Sequence, residues 1–490
     1  MNTDIQKNIR RVLVVFLFLF IALISYIGYF QLFKAESIAS SNENVRLWAK
    51  RNEVTRGVIY DRDNEVLAET VEKSELSQKR SYPQGEVFAH VVGYYDETYS
   101  LAGLENTFDE ELISYSVVES SISSLLDFFN LKEAFNTRTE EEIKVGNSII
   151  TTLDTDIQRA AYQALGTNKG AVVVLNPKTG EILASVSKPS YDPNNLTEIW
   201  ESINTDTVNT PMFNRATRGL YPPGSTFKVV TLASALENIS GVTTEVFNDT
   251  GKIVFSDKKT TLSNYNNNVY GQLSLKKALS VSSNVVFGKL AMELGNAKLK
   301  ATAEKFGFNQ SFTGSGIPIE SSRFPEYNSS QEGLIAQSGI GQAGILSTPM
   351  EMAMVAAAVA NDGEIMKPTI IKEIKTSSGK TVRGLSTEVL YEAISSENAA
   401  IIKDYMIGVV QDRIGSSWSN VFNGLNAAGK TGTADYEVNG EAQVPHSWFI
   451  GFAPADNPQV AIAVIVENGG TGSTLAAQVS GKVLKAALVQ

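Results

Sequence analysis

The first strong pattern along the chain is one unbroken apolar run. Val12 to Phe33 holds 22 residues without a charge, dominated by Val, Leu, Ile and Phe. At about 1.5 Å per residue, a helix of that length crosses the roughly 30 Å hydrocarbon core of a bilayer. Lys7, Arg10 and Arg11 precede it, and basic flanks stay on the cytoplasmic side. The pattern predicts a cytoplasmic tail over 1–11, a membrane anchor over 12–33 and an extracytoplasmic remainder. Tyr26, Tyr29 and Phe30 fall where an interfacial aromatic belt would sit. A cleaved signal peptide is the alternative. Its apolar core is shorter, about 7–15 residues, although the small residues of Ala35–Ser41 would permit cleavage.

Past the anchor the period changes. Ala35 to Lys50 is polar with spaced apolar residues and predicts a helix leaving the membrane. Alternation at Val58, Tyr60 and then Val66 predicts two strands joined by a polar turn. Ser114 to Lys144, rich in Ser and Glu, reads as helical or linking material. A boundary is expected near residue 150, dividing a membrane-proximal unit over 34–150 from a larger one over 151–490. In the larger unit, Asp154–Leu165 predicts a helix. Gly170–Leu175 and Glu181–Val186 predict strands around an Asn176–Gly180 turn. Thr226–Leu236, Lys276–Leu294 and Ala353–Ala360 predict largely buried helices. Trp448–Phe452 and Val460–Val466 predict strands, Asn439-Gly440 a hairpin, and Thr474–Leu488 a last helix. Strands at both ends with helices between imply one sheet whose outer strands come from opposite ends of this region.

Composition narrows the chemistry. The chain has no cysteine, which removes disulfides, thiol catalysis and cysteine-ligated metals. His90 and His446 are the only histidines, so a Ser-His-Asp triad or a multi-histidine metal site has almost no material. His90, in an apolar run, reads as structural, and His446 as near a site rather than in it. The net charge of −11 gives no reason to expect nucleic-acid binding, which needs clustered positive charge. It reads as a solvated surface.

Three segments carry candidate chemistry. Ser225-Thr226-Phe227-Lys228, after Tyr221-Pro222-Pro223-Gly224, is a Ser-x-x-Lys tetrad. Ser282-Ser283-Asn284 is a Ser-x-Asn triplet. Lys430-Thr431-Gly432-Thr433 is a Lys-Thr-Gly followed by a hydroxyl residue. A serine hydroxyl is a poor nucleophile at neutral pH and needs a base within reach. If a helix starts at Ser225, Lys228 stands one turn on and can meet it. A desolvated lysine near other cations gives up its proton more easily, and a helix start offers free N–H groups to a developing oxyanion. Each motif alone is weak. Ser256/Lys259, Ser274/Lys277, Ser377/Lys380, Ser40/Asn42, Ser396/Asn398 and Lys178-Thr179-Gly180 repeat the patterns but fail on order or context.

The ordered set resembles the signature of penicillin-binding proteins and serine β-lactamases. From about residue 150 onward the chain resembles the transpeptidase domain of class B penicillin-binding proteins. Asp192-Pro193-Asn194, Tyr221–Lys228, Gly339-Ile340-Gly341-Gln342, Thr348-Pro349, Ala360–Gly363, Lys430–Ala434 and His446–Pro454 carry the likeness. Residues 56–68 and 90–105 resemble the pedestal of the same proteins, in a short form like the small penicillin-binding protein A type. The resemblance implies an α+β fold: an antiparallel five-stranded sheet with helices on both faces, plus a small pedestal and one transmembrane helix.

It also implies roles. Ser225 would be acylated by the penultimate D-alanine of a stem pentapeptide. Lys228 would be the base, and Ser282 would relay a proton to the leaving amine. Asn284 would hold the donor peptide. Lys430 would add positive charge, while Thr431 and Thr433, around Gly432, would hold the terminal carboxylate. The N–H groups of Ser225 and Thr433 would form the oxyanion hole. The expected ligands are peptidoglycan stem peptides and β-lactams, with no metal or cofactor. The expected partners are the bilayer and a glycan polymerase of the shape, elongation, division and sporulation family. Bifunctional relatives need a glycosyltransferase domain, for which roughly 115 residues between anchor and catalytic domain are too few. Glu293-Leu294-Gly295-Asn296 mimics the Glu-x-x-Asn of class A β-lactamases but reads as helix surface. A D,D-carboxypeptidase and a penicillin-sensing scaffold are the competing functions.

Overall fold

The structure, a computed structural model, describes residues 2–34, 45–74, 77–115, 144–414, 418–438 and 440–489. Asn2–Phe33 is a single helix. Its stretch Gln6–Phe33 is long and apolar enough to cross a membrane, and nothing among the described residues buries it. The helix expected after it is seen as Val45–Glu53. Residues 35–44, most of the Ser114–Lys144 segment and Asn439 lie outside the described residues.

Five antiparallel strands form the central sheet. Their order is Ala428–Ala434, His446–Ala453, Val460–Val466, Gly170–Leu175 and Ile182–Lys188. The outer strands thus come from opposite ends of the region, as the strand pattern predicts. The three inner strands are buried throughout, which a sheet covered on both faces requires. Successive side chains alternate between two cores. Val172 and Val174 join Ile157, Leu165, Val479 and Val483 on one face. Ala171 and Val173 join Met350, Met354 and Ala461 on the other. The first core is closed by the helices Thr155–Leu165, capped by Asp154 through Ile157 N–H, and Leu475–Leu488. The second is closed by the wholly buried helix Pro349–Ala360.

A second, six-stranded sheet joins the two regions. Ser148–Thr151 pairs in parallel with Ile59–Tyr60 and antiparallel with Ile371–Lys375, and Thr381–Gly384 forms the edge. The sheet therefore draws strands from both sides of residue 150.

Two expected helices differ in detail. Ser225 does not open an α-helix. Gly224–Phe227 is a 3₁₀ turn, and the α-helix runs Lys228–Asn238. The expected Lys276–Leu294 helix is two helices, Leu275–Ser280 and Asn284–Lys305. Ser282 between them sits at φ +59°, and the Ser283 hydroxyl caps the second helix by accepting from Val286 N–H at 3.0 Å.

Glu351, in the first turn of Pro349–Ala360, is fully buried, and neither carboxylate oxygen has a hydrogen-bond partner among the described residues. Burial pushes its carboxyl well above the usual carboxylate range. A raised folded-state value means the folded protein holds a proton that the unfolded chain gives up above about pH 4.3. This site therefore lowers stability as pH rises from there. Glu351→Met, near-isosteric and without a polar atom to leave unpaired, is expected to stabilise by about 1–3 kcal/mol at pH 8 and by less at pH 5. Thermal unfolding of the two proteins at both values measures this.

Candidate active site

The chain reaches the site through a tightly held turn. Tyr221 exchanges two backbone hydrogen bonds with Ser347, at 3.0 and 2.8 Å. Trp448 Nε1 donates to Pro222 O at 3.0 Å, and Gly224 N donates to Gly341 O at 3.0 Å. Gly224 has φ +53°, and a Cβ there would lie 2.4 Å from Thr433 O, so the Ser225 turn rests directly on the strand Ala428–Ala434. Gly432 makes room from the other side, since a Cβ on it would lie 2.8 Å from Pro223 O. Both glycines are fixed by this close approach of two backbones.

A 640 Å³ cleft opens above this contact, and Ser225, Ser282, Asn284, Thr431 and Thr433 line it. Lys228 and Lys430 lie beneath, fully buried. Lys228 Nζ donates to Ser282 O at 2.7 Å, Ser282 Oγ at 3.1 Å and Asn284 Oδ1 at 2.8 Å. Lys430 Nζ donates to Ser282 Oγ at 3.0 Å and Thr431 O at 2.9 Å. The eight residues expected at the site, Gly432 included, thus converge from three separate segments.

The contact expected between Lys228 and Ser225 is not a hydrogen bond in this structure. Among the described residues Lys228 is held by Ser282 and Asn284 instead. The 3₁₀ turn, in which residues i and i+3 eclipse, keeps the two side chains on one side.

Neither buried lysine has a carboxylate in salt-bridge contact among the described residues. Burial pulls Lys228 down to about 7, with Asp249 opposing. Burial also pulls Lys430 well below its ordinary value, aided by Lys228 and Arg413. The Ser282 hydroxyl accepts from both lysines. An oxygen with two lone pairs so occupied has its own proton free to donate elsewhere.

Other readings find their places. Glu293 is exposed on its helix and outside the cleft lining, while Asn296 is buried and ties down the 325–327 segment through Pro325 O and Tyr327 N. His90 Nε2 meets Pro189 O at 3.1 Å, a structural contact. His446 stacks on Tyr436 and meets Tyr221 edge-on, next to the cleft. Sequence reasoning did not single out Tyr270, Arg413 and Asp435, which also line the cleft. Nor did it find Asp249 and Asn264 behind Asn284. No short motif marks any of them, because their neighbours come from distant segments.

Fold and motif order define a class, the penicillin-recognising serine acyltransferases, and comparison with known proteins agrees. Residues 170–486 match the penicillin binding protein transpeptidase domain, and residues 56–132 match the penicillin binding protein A dimerisation domain. The chain belongs to the penicillin-binding protein transpeptidase family. Within it, the chain is 33% identical to the peptidoglycan D,D-transpeptidase PbpA of Mycolicibacterium smegmatis, over 100% of this chain and 99% of that protein. It is 32% identical to PbpA of Mycobacterium tuberculosis, over 99% of each. The solved structure of penicillin-binding protein A from M. tuberculosis as a ceftriaxone acyl-enzyme superposes with a TM-score of 0.80 at 32% identity, covering 90% of this chain and 100% of that one. The D,D-transpeptidase domain of a peptidoglycan glycosyltransferase from Eggerthella lenta gives 0.78 at 34% identity, with 89% and 99% covered.

Proposed function

We propose that this chain is a membrane-anchored peptidoglycan D,D-transpeptidase, acylated on Ser225 by the penultimate D-alanine of a stem pentapeptide with release of the terminal D-alanine. The observation that carries this reading is the pair of fully buried lysines converging on Ser282 beneath the Ser225 cleft. Neutral Lys228 keeps its two shortest contacts, to Ser282 O and Asn284 Oδ1, as a donor. Its lone pair is then free to take the Ser225 proton as Oγ attacks. The free Ser282 proton serves the leaving amine, and Lys228 and Lys430 can resupply it. The terminal carboxylate, held by Thr431 and Thr433 beside Gly432, brings a negative charge toward Lys430. Asn284 positions the donor peptide, and the N–H groups of Ser225 and Thr433 face the oxyanion. An acceptor amine from a second stem peptide then resolves the ester.

A β-lactam enters the same path and stops at the ester, which gives the test. Intact-mass spectrometry after benzylpenicillin treatment should show one adduct per chain, and Ser225→Ala should show none. A well-folded protein that takes no adduct overturns the assignment. Stem-peptide products then separate crosslinking from simple trimming, the D,D-carboxypeptidase outcome.

The same reading places 1–11 in the cytoplasm, the anchor over 12–33 and the rest outside, with a pedestal over 34–150 and the transpeptidase domain over 151–490. Lys7, Arg10 and Arg11 support that orientation. A lone transpeptidase needs nascent glycan strands. A membrane glycan polymerase of the shape, elongation, division and sporulation family is the partner that anchor and pedestal would contact, and its absence from mild-detergent pull-downs would count against it.

A further inference from the structure

Behind the Ser282–Asn284 turn lies a carboxylate that no motif contains. Asp249, on the strand Val246–Asp249, is fully buried. Its Oδ1 accepts from Gly251 N and Asn264 Nδ2, both at 2.8 Å. Its Oδ2 accepts from Asn264 Nδ2 at 2.9 Å and from Ser283 Oγ at 2.5 Å. Each partner leads back to the site. Ser283 caps the helix that begins at Asn284. Asn264 Oδ1 accepts from the N–H of Asn284 at 2.8 Å and of Val285 at 3.2 Å. Asn284 Nδ2 donates to Ser263 O at 2.8 Å, which leaves its Oδ1 aimed at Lys228.

The turn needs such a hold. Ser282 sits at φ +59°, a conformation that strains a non-glycine residue and persists only where the surroundings over-determine it. A buried carboxylate receiving charge-assisted hydrogen bonds from two separate segments is a strong anchor for that purpose. Its charge matters as well. Lys228 faces Lys430 across Ser282, with Arg413 beyond Lys430, Tyr270 and Asp412 beside Arg413, and the Phe287 ring 5.6 Å away. Burial lowers Lys228, and the Asp249 carboxylate behind Asn264 and Ser283 opposes it.

We propose that Asp249 is a positioning residue for acylation: it clamps the Ser282-Ser283-Asn284 turn through Ser283 and Asn264 and puts a buried carboxylate behind the residues that hold Lys228. The proposal rests on the acylation of Ser225 assigned above. It separates into two effects, one of geometry and one of charge, and two substitutions resolve them.

Asp249→Asn removes the charge while keeping the volume. With the anion gone, charged Lys228 is less favoured, so its proton is lost at lower pH. The acidic limb of the acylation rate against pH is expected to move down by about half a unit or more. The plateau rate should fall about tenfold or more as the turn loosens. Ser283→Ala keeps the charge and cuts one arm of the clamp, so the rate should fall at least about threefold with the limb unmoved. The measurement is the benzylpenicillin acylation rate of the full chain from about pH 5.5 to 9. A folded Asp249→Asn protein whose limb stays at the wild-type position overturns the charge effect. A Ser283→Ala rate equal to wild type overturns the clamp, and that test stands even if Asp249→Asn does not fold. Wild-type protein that is never acylated would instead sink the underlying assignment, so the two failures are distinguishable.

Discussion

Lys228→Met should leave a folded protein that acylates with benzylpenicillin about 1,000-fold more slowly than wild type, within the range that a positioned base contributes. The site makes this substitution informative because a buried lysine without a carboxylate in contact contributes little to folding. Its charge has no salt-bridge partner, and a methionine of similar length fills the space without needing one. The three hydrogen bonds to Ser282 and Asn284 go with the lysine, so the pH dependence, and not the rate alone, separates lost chemistry from a loosened turn. The wild-type pH dependence gives the independent check. Burial brings Lys228 down to about 7. Below that value it is ammonium and has no lone pair to accept the Ser225 proton. The acylation rate should therefore fall about tenfold per pH unit as pH drops below 7, and level off above it. Lys228→Met should flatten this limb along with lowering the rate. Stopped-flow acylation across pH on both proteins measures the two effects together. A limb that survives in Lys228→Met would transfer the base role to another group, Lys430 being the nearest candidate through Ser282.

The parts of this molecule legible in the sequence are those governed by local pattern. Val12–Phe33 is legible because its unbroken apolar run is long enough to cross a bilayer as a helix. Val460–Val466 and Gly170–Leu175 are legible because a strand buried on both faces has no polar alternation to hide it. The three motifs are legible because chemistry restricts residue type at each position. Geometry that depends on distant partners is not. Val281-Ser282-Ser283 contains neither glycine nor proline, so nothing local announces a break in the helix there. Its positive φ is imposed by Lys228, Lys430 and the Asp249 clamp, which lie 54, 148 and 34 residues away in the chain. The same holds for the second sheet. Ile371–Lys375 follows the nucleophile by over a hundred residues, yet pairs with Ser148–Thr151, a register set by packing rather than by any turn. The missing Lys228–Ser225 hydrogen bond has a similar cause. Spacing puts the two residues on one side of a turn, but Ser282 and Asn284 compete for the same donors, and they come from a segment whose approach the spacing does not encode.

The largest expected effect on stability lies far from the cleft, in the charges buried in the pedestal. Arg56, Arg80 and Glu105 have fully buried side chains. Arg56 Nε donates to Glu105 Oε2 at 2.6 Å and Arg80 Nε to Glu105 Oε1 at 2.8 Å. Arg56 Nη1 also reaches Asp109 at 2.5 Å, and Arg80 Nη1 reaches Gly57 O at 3.0 Å. Glu105 thus stands between two guanidiniums and ties the helix Gly103–Thr107 to the strand Gln78–Ser81 and the segment before Ile59. Burial alone would push its carboxyl up, but Arg80 and Arg56 outweigh this and hold it below the usual range. A depressed folded-state value contributes stability above the unfolded value of about 4.3, and that contribution is lost as pH falls through the folded one. Glu105→Gln leaves Arg56 with Asp109, which also pairs with Arg51, and leaves Arg80 with no carboxylate in salt-bridge contact among the described residues. The expected cost is about 3–5 kcal/mol, the cost of stranding a buried charge by removing its partner. Replacing Arg56, Arg80 and Glu105 together by Met, Leu and Met should cost far less, because no cation is stranded and Asp109 keeps Arg51. Hydrogen exchange over residues 56–113 reads the loss locally, and benzylpenicillin labelling of Ser225 reports whether the catalytic domain stays folded. If Glu105→Gln exchanged at the wild-type rate, water would have to reach the cluster. Equal losses in the single and triple variants would assign its value to packing rather than to charge.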